Sequence, residues 1–119
     1  MREILFRGKN AKTKEWNYGG YTTDPFERSL IIDKDMGCYK IVIPETVGQY
    51  TGLTDKNGEK IFEGDIFTYK EEYAKIEYDD DSAMFIIQFD DWYMDFGFLY
   101  GHEVEILGNI HDNPELLEV

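Results

Sequence analysis

Aspartate clusters are the first residues in this sequence whose type and spacing suggest chemistry. Asp79-Asp80-Asp81 and Asp90-Asp91 offer hard oxygen ligands, and two stretches, Asp33-Lys34-Asp35-Met36-Gly37 and Asp55-Lys56-Asn57-Gly58, begin like calcium loops. Such a loop needs glycine at position six and glutamate at position twelve. Counting from Asp33, those positions hold Cys38 and Pro44; from Asp55, they hold Lys60 and Ile66, so neither qualifies. If residues 83–89 form one strand, the two remaining clusters sit about 23 Å apart at roughly 3.3 Å per residue, too far to share an ion. Zinc fares no better, since His102, His111 and Cys38 fall one short of four nitrogen or sulfur ligands. No nucleophile elbow, H-E-x-x-H or Walker pattern occurs, and Gly97, Gly101 and Gly108 make no phosphate-binding fingerprint. The expectation is a protein without catalytic, metal or cofactor residues. An enzyme assembled from carboxylates far apart in sequence ranks last among the readings.

Binding is the better prospect. The stretch Asp90-Asp91-Trp92-Tyr93-Met94-Asp95-Phe96-Gly97-Phe98-Leu99-Tyr100 holds five aromatic and three acidic side chains in eleven positions. Aromatic residues and methionine are enriched at the centres of protein interfaces, and acidic neighbours steer a basic partner inward. The same rings would serve equally in a loop or short helix folded over a barrel mouth. The candidate partner surface is therefore Asp79, Asp80, Asp81, Asp90, Asp91, Trp92, Tyr93, Asp95, Phe96, Phe98 and Tyr100.

Charge sharpens the choice of partner. The 119 residues carry 12 basic and 25 acidic side chains, a formal net charge of −13. Residues 1–59 hold nine of each sign, whereas residues 60–119 hold three basic and sixteen acidic. Direct nucleic-acid binding is excluded as the expectation, because phosphate contacts need Lys and Arg. Two partner readings follow: a protein, such as a basic host protein or a second copy of this chain, and, more narrowly, mimicry of nucleic acid in the basic cleft of a defence or DNA-processing protein. No apolar run approaches membrane-spanning length, and the start MREILFRGKN lacks the apolar core of a signal peptide. A single cysteine, Cys38, fits a reducing cytosol and reads as a buried strand residue.

These residues need elements to hold them. Period-two alternation predicts strands over 3–7, 16–18 (ended by Gly19-Gly20), 29–32, 39–43, 47–53, 60–62, 66–69 and 73–78. Residues 83–89 read as the central strand and 104–110 as the last. Asp55, Asn57 and Gly58 predict a turn in which Asp accepts from the backbone and Gly supplies positive φ, and Gly64 predicts a second. Asn113-Pro114 reads as a helix cap followed by proline at the first helical position. Tyr50, Leu53, Ile61, Phe62 and Ile66 are candidate core. The fold class is mainly β, a small SH3-like or similar β-barrel preceded by an N-terminal β-hairpin region, in one domain whose parts are residues 1–45 and 46–119.

Three of these stretches carry a resemblance. The opening MREILFR, the central QYTGLTDKNGEKIFEGDI and the closing EILGNIHDNPELL resemble the YopX-like proteins of phages and prophages of Gram-positive bacteria. The resemblance implies a small β-rich fold, a phage or prophage origin and no established activity; together with the single cysteine, the expected location is the bacterial host cytosol. It supplies no catalytic residues. On that reading the central glycine turns determine the fold, and the chain is a non-enzymatic accessory protein whose acidic, aromatic C-terminal half meets its partner.

Overall fold

The computed structural model describes residues 3–33, 35–98 and 104–118, and the chain divides into two units, residues 1–50 and 51–119. In the first unit, β1 (Phe6–Lys9) and β2 (Trp16–Thr23) form a hairpin whose loop is tied by Asn10, its Oδ1 accepting from the Lys12 and Thr13 amides. β3 (Ser29–Asp33) and β4 (Cys38–Val42) form the second hairpin. β5 (Gly48–Thr54) starts in this unit, Gly48 and Gln49 pairing with Arg7 and Phe6. The Ile43 amide donates to the Lys9 carbonyl, and Asn10 bridges Val42, so the end of β4 returns to the end of β1. Leu30, Ile31, Val42 and Tyr50 are buried here, and the guanidinium of Arg7 lies 4.5 Å from the Trp16 ring centre.

The Gly19-Gly20 pair does not break its strand, contrary to expectation. β2 pairs with β1 up to Gly19 and with β3 from Gly20 onward. At that switch a Cβ on Gly19 would fall 1.9 Å from the Ile32 carbonyl oxygen, so the glycine permits backbone contact that any side chain would block. Cys38 is also less enclosed than expected; it opens β4 partly exposed and free.

The second unit contains β6 (Lys60–Phe62), β7 (Asp65–Tyr69), β8 (Glu72–Asp79), β9 (Met84–Gln88), β10 (Tyr93–Asp95) and β11 (Gly108–Asn109). Short 3-10 turns occupy Phe96–Phe98 and Pro114–Leu117. The sheet order is β10-β9-β8-β7-β11, antiparallel throughout. One face packs Ile61, Phe67, Ala74, Ile76, Ile87, Phe89, Phe96 and Val104 into a core. The mainly β expectation holds, and among the described residues the sheet ends at β10 and β11 instead of closing into a barrel.

Three details differ from the sequence reading. The middle strand is β8, because both β7 and β9 pair with it, and β9 stands one place out. Only Gly108–Asn109 of the stretch 104–110 forms a strand. Its earlier polar groups are spent on the turn opposite: the Ile106 amide donates to Asp55 Oδ2, and the Val104 carbonyl accepts from the Lys56 amide. Leu53, expected in the core, is 41% exposed. Side chains alternate along β5, so burial of Gly48 and Tyr50 turns residue 53 outward. The other four core candidates are buried.

Candidate functional site

The β7–β8 hairpin closes on two residues, Lys70 and Glu71, with φ of 50° and 69° and with Tyr69 opposite Glu72. That is the geometry of a two-residue hairpin turn with both central residues left-handed, normally filled by Asn and Gly. β8 then leads away and β9 returns, placing Gln88 opposite Lys75. β9 and β10 join through a second two-residue tip, Asp90-Asp91, closed by the Phe89 amide donating to the Trp92 carbonyl at 2.8 Å. Because β8 and β9 are antiparallel, the Lys70-Glu71 turn and the Asp90-Asp91 tip lie at the same end of the sheet.

At that end lies a groove of about 590 Å³. Its carboxylates come from Glu71, Glu72, Asp90 and Glu118. Its apolar surface comes from Tyr73 and the half-buried Leu116 and Leu117 of the terminal 3-10 turn. Among the described residues Lys75 supplies its one basic group, with its ammonium 2.8 Å from Glu77 Oε1. Strand alternation puts Tyr73, Lys75, Gln88 and Tyr93 on one face of the sheet, opposite the core residues Ala74, Ile76 and Ile87.

The residues singled out as a partner surface are distributed along the β8–β9–β10 meander. Asp80 and Asp81 are exposed in the β8–β9 turn, beside Asp79, which accepts from the Ser82 hydroxyl. Asp90 and Asp91 are exposed at the other end of β9. The two acidic clusters are thus separate surfaces. Trp92 is 39% exposed and stacks flat on Phe89, with ring centres 4.0 Å apart and planes 3° from parallel. Tyr93 is 60% exposed on β10. Asp95 turns its Oδ1 to the Gly97 amide at 2.7 Å. Phe96 is a correction: it is 7% exposed and belongs to the core, since its neighbour Met94 opposite Ile87 already carries the chain inward. The acidic-aromatic stretch is accordingly an edge strand and a 3-10 turn, not a cover over a barrel mouth. The side chain of Phe98 and all of Tyr100 lie outside the described residues.

The turn residues are anchors. Asp55 is 4% exposed and accepts from the amides of Asn57 at 2.8 Å, Glu59 at 2.9 Å and Ile106 at 3.0 Å. Burial alone would raise its pKa, but these three amides and the nearby Lys56 charge outweigh that effect and hold it below the ordinary value. Gly58 follows at φ 82°. Asn57 Nδ2 and Lys56 Nζ both reach Glu105. Gly64, at φ 93°, sits between Phe62 and the buried Asp65, whose Oδ2 accepts from the Phe62 amide at 2.7 Å. Near the end of the chain Asn109 Oδ1 accepts from the His111 and Asp112 amides. Asn113 does not cap the turn that follows; its Oδ1 lies 3.3 Å from the Asn109 amide, which donates to it.

The two sequence stretches richest in these anchors, 49–66 and 105–117, are also parts of a family pattern. The family model described as YopX protein matches residues 5–118. The chain belongs to the YopX family. No curated protein matches this YopX chain. Among solved structures it resembles the crystal structure of protein EF1440 from Enterococcus faecalis, at 29% identity and a TM-score of 0.62, over 99% of this chain and 100% of that one. In this YopX protein the groove residues Glu71, Glu72, Tyr73, Leu116, Leu117 and Glu118 were not singled out by sequence. The available signal was Lys70-Glu71, two residues between two alternating runs, which fixes a tight hairpin and so brings its flanks together.

Proposed function

We propose that this protein is a non-enzymatic accessory protein of phage or prophage origin, acting in the bacterial cytosol by binding a protein partner through its acidic second unit. One observation carries the reading: Trp92 and Tyr93 are exposed on the edge hairpin beside the exposed carboxylates of Asp90 and Asp91. Flat aromatic side chains that stay half open to water, next to groups that repel anions and attract cations, are the composition of an interface anchor with a steering rim. Residues 51–119 hold four basic and eighteen acidic side chains, so most carboxylates face water or a partner's cations. Among the described residues no helix is long and apolar enough to cross a membrane.

The test is binding kinetics against the protein captured from host lysate with this chain as bait. Replacing Asp79, Asp80, Asp90 and Asp91 by Asn is expected to slow association, and high salt to do the same, because steering acts through a field screened within about 8 Å at physiological ionic strength. Trp92→Ala is expected to speed dissociation. It also removes the stack on Phe89, so stability is measured alongside, with a loss of about 1 kcal/mol expected for the ring pair. Affinity unchanged by salt, by the four Asn replacements and by Trp92→Ala would end the proposal. Competition by duplex DNA for the same captured protein would move the reading to nucleic-acid mimicry.

A further inference from the structure

We infer that the groove beside β8 and β9 receives an arginine side chain from a basic segment of the protein partner. The inference rests on the protein-binding reading and names the chemistry of what is bound. The groove is two-natured. Leu116, Leu117 and Tyr73 give it apolar surface, while Glu71, Glu72, Asp90 and Glu118 give it carboxylates. Its single cation among the described residues, Lys75, is engaged by Glu77. A ligand must therefore carry positive charge and apolar length together.

Among candidate cations, arginine fits that combination best. Its methylene stem covers leucine while its head stays polar. Its planar guanidinium bonds carboxylates through two parallel N–H groups and stacks on a tyrosine face. A bare metal ion fits poorly, because among the described residues no three acidic, histidine or cysteine side chains are grouped closely enough to hold one. Phosphates and nucleic acid are repelled by the same carboxylates. The volume of about 590 Å³ lies within the range of roughly 300–1,000 Å³ that small-ligand sites occupy, enough for one long side chain and its neighbours. Asp90 belongs both to this groove and to the hairpin tip beside Trp92, so the two surfaces share a carboxylate.

A capped pentapeptide alternating arginine and leucine, titrated into the isotopically labelled full chain and followed by amide chemical shifts, tests this. The expected result is a set of saturable shifts centred on Tyr73, Lys75, Gln88, Asp90 and Leu117. The triple variant Glu72→Gln, Asp90→Asn, Glu118→Gln should weaken binding by about tenfold or more, given the strength of charge-assisted pairs. The same peptide with citrulline for arginine keeps the shape and loses the charge, and it should not bind. All three replaced groups lie at the surface, so folding of the variant is checked by its unperturbed spectrum. Equal shifts around Asp79–Asp81, undiminished binding to the triple variant, or binding of the citrulline peptide would each overturn the inference. If the peptide fails while Trp92→Ala still releases the captured partner, the groove inference falls and the protein-binding reading stands. If salt, the four Asn replacements, the groove variants and Trp92→Ala all leave affinity for the captured partner unchanged, both fall.

Discussion

Asp55 gathers three backbone N–H groups from two parts of the second unit, and only an acceptor-rich, ionised side chain serves all three well. Asp55→Ala leaves those donors without their partner in a buried place and should cost about 3 kcal/mol, read from denaturant midpoints. Asp55→Asn keeps an acceptor oxygen and should cost roughly half as much. The pH dependence follows from the sign of the shift. The folded pKa is lowered relative to an unfolded value of about 3.9, so the contribution is fully present above that pH and disappears as pH falls through the folded value. Acid unfolding of the parent should therefore be steeper below about pH 4 than that of Asp55→Asn. Coincident acid limbs for the two proteins would remove Asp55 from this role. Asn109 does similar work with amide chemistry, its Oδ1 accepting from the His111 and Asp112 amides.

Among the elements, the Lys70-Glu71 turn is out of step with its own residue types. Left-handed backbone costs an ordinary residue about 1–2 kcal/mol, whereas Asn-Gly adopts this turn readily. The double replacement Lys70→Asn, Glu71→Gly should raise stability by about 1 kcal/mol after the added freedom of glycine in the unfolded chain is deducted. A lowered denaturant midpoint would show that the two side chains stabilise the turn by more than their backbone costs. Strands were legible wherever alternation and turn chemistry agreed: residues 60–62, 66–69 and 73–78 are found almost as read, and so is the turn at Asp55–Gly58. What sequence left hidden were the long-range choices. Nothing local in residues 104–110 shows that their polar groups will answer Asp55 and Lys56, nearly fifty residues earlier in the chain by the separation of Asn57 and Glu105, which is 48. Gly19-Gly20 looks like a break until the close approach of the Ile32 carbonyl is seen. The groove is illegible for the same reason, since Leu116 and Leu117 meet Tyr73 and Asp90 only after the hairpins have formed.

At the scale of the whole molecule, the acidic excess belongs to one unit, with eight basic and seven acidic side chains in residues 1–50. Within that excess, the placement of Asp79-Asp80-Asp81 and Asp90-Asp91 at the two ends of β9 has a consequence apart from any partner. β9 and its flanks, Ala83 to Phe89, are the most apolar β-forming stretch of the chain, the kind of segment that zips onto copies of itself when exposed during folding. In the finished sheet both of its sides are paired, by β8 and β10, but a chain still folding has no such cover. Like charges bracketing the stretch keep two unfolded copies from aligning in register, acting as gatekeepers against aggregation. The variant with Asn at positions 79, 80, 90 and 91 should therefore refold from denaturant with markedly more light scattering than the parent, increasingly so at high protein concentration, even if its native stability is unchanged. Equal scattering from the two would confine those aspartates to the native surface. If the prediction holds, part of the acidity proposed to meet a partner also protects the chain before it has a fold.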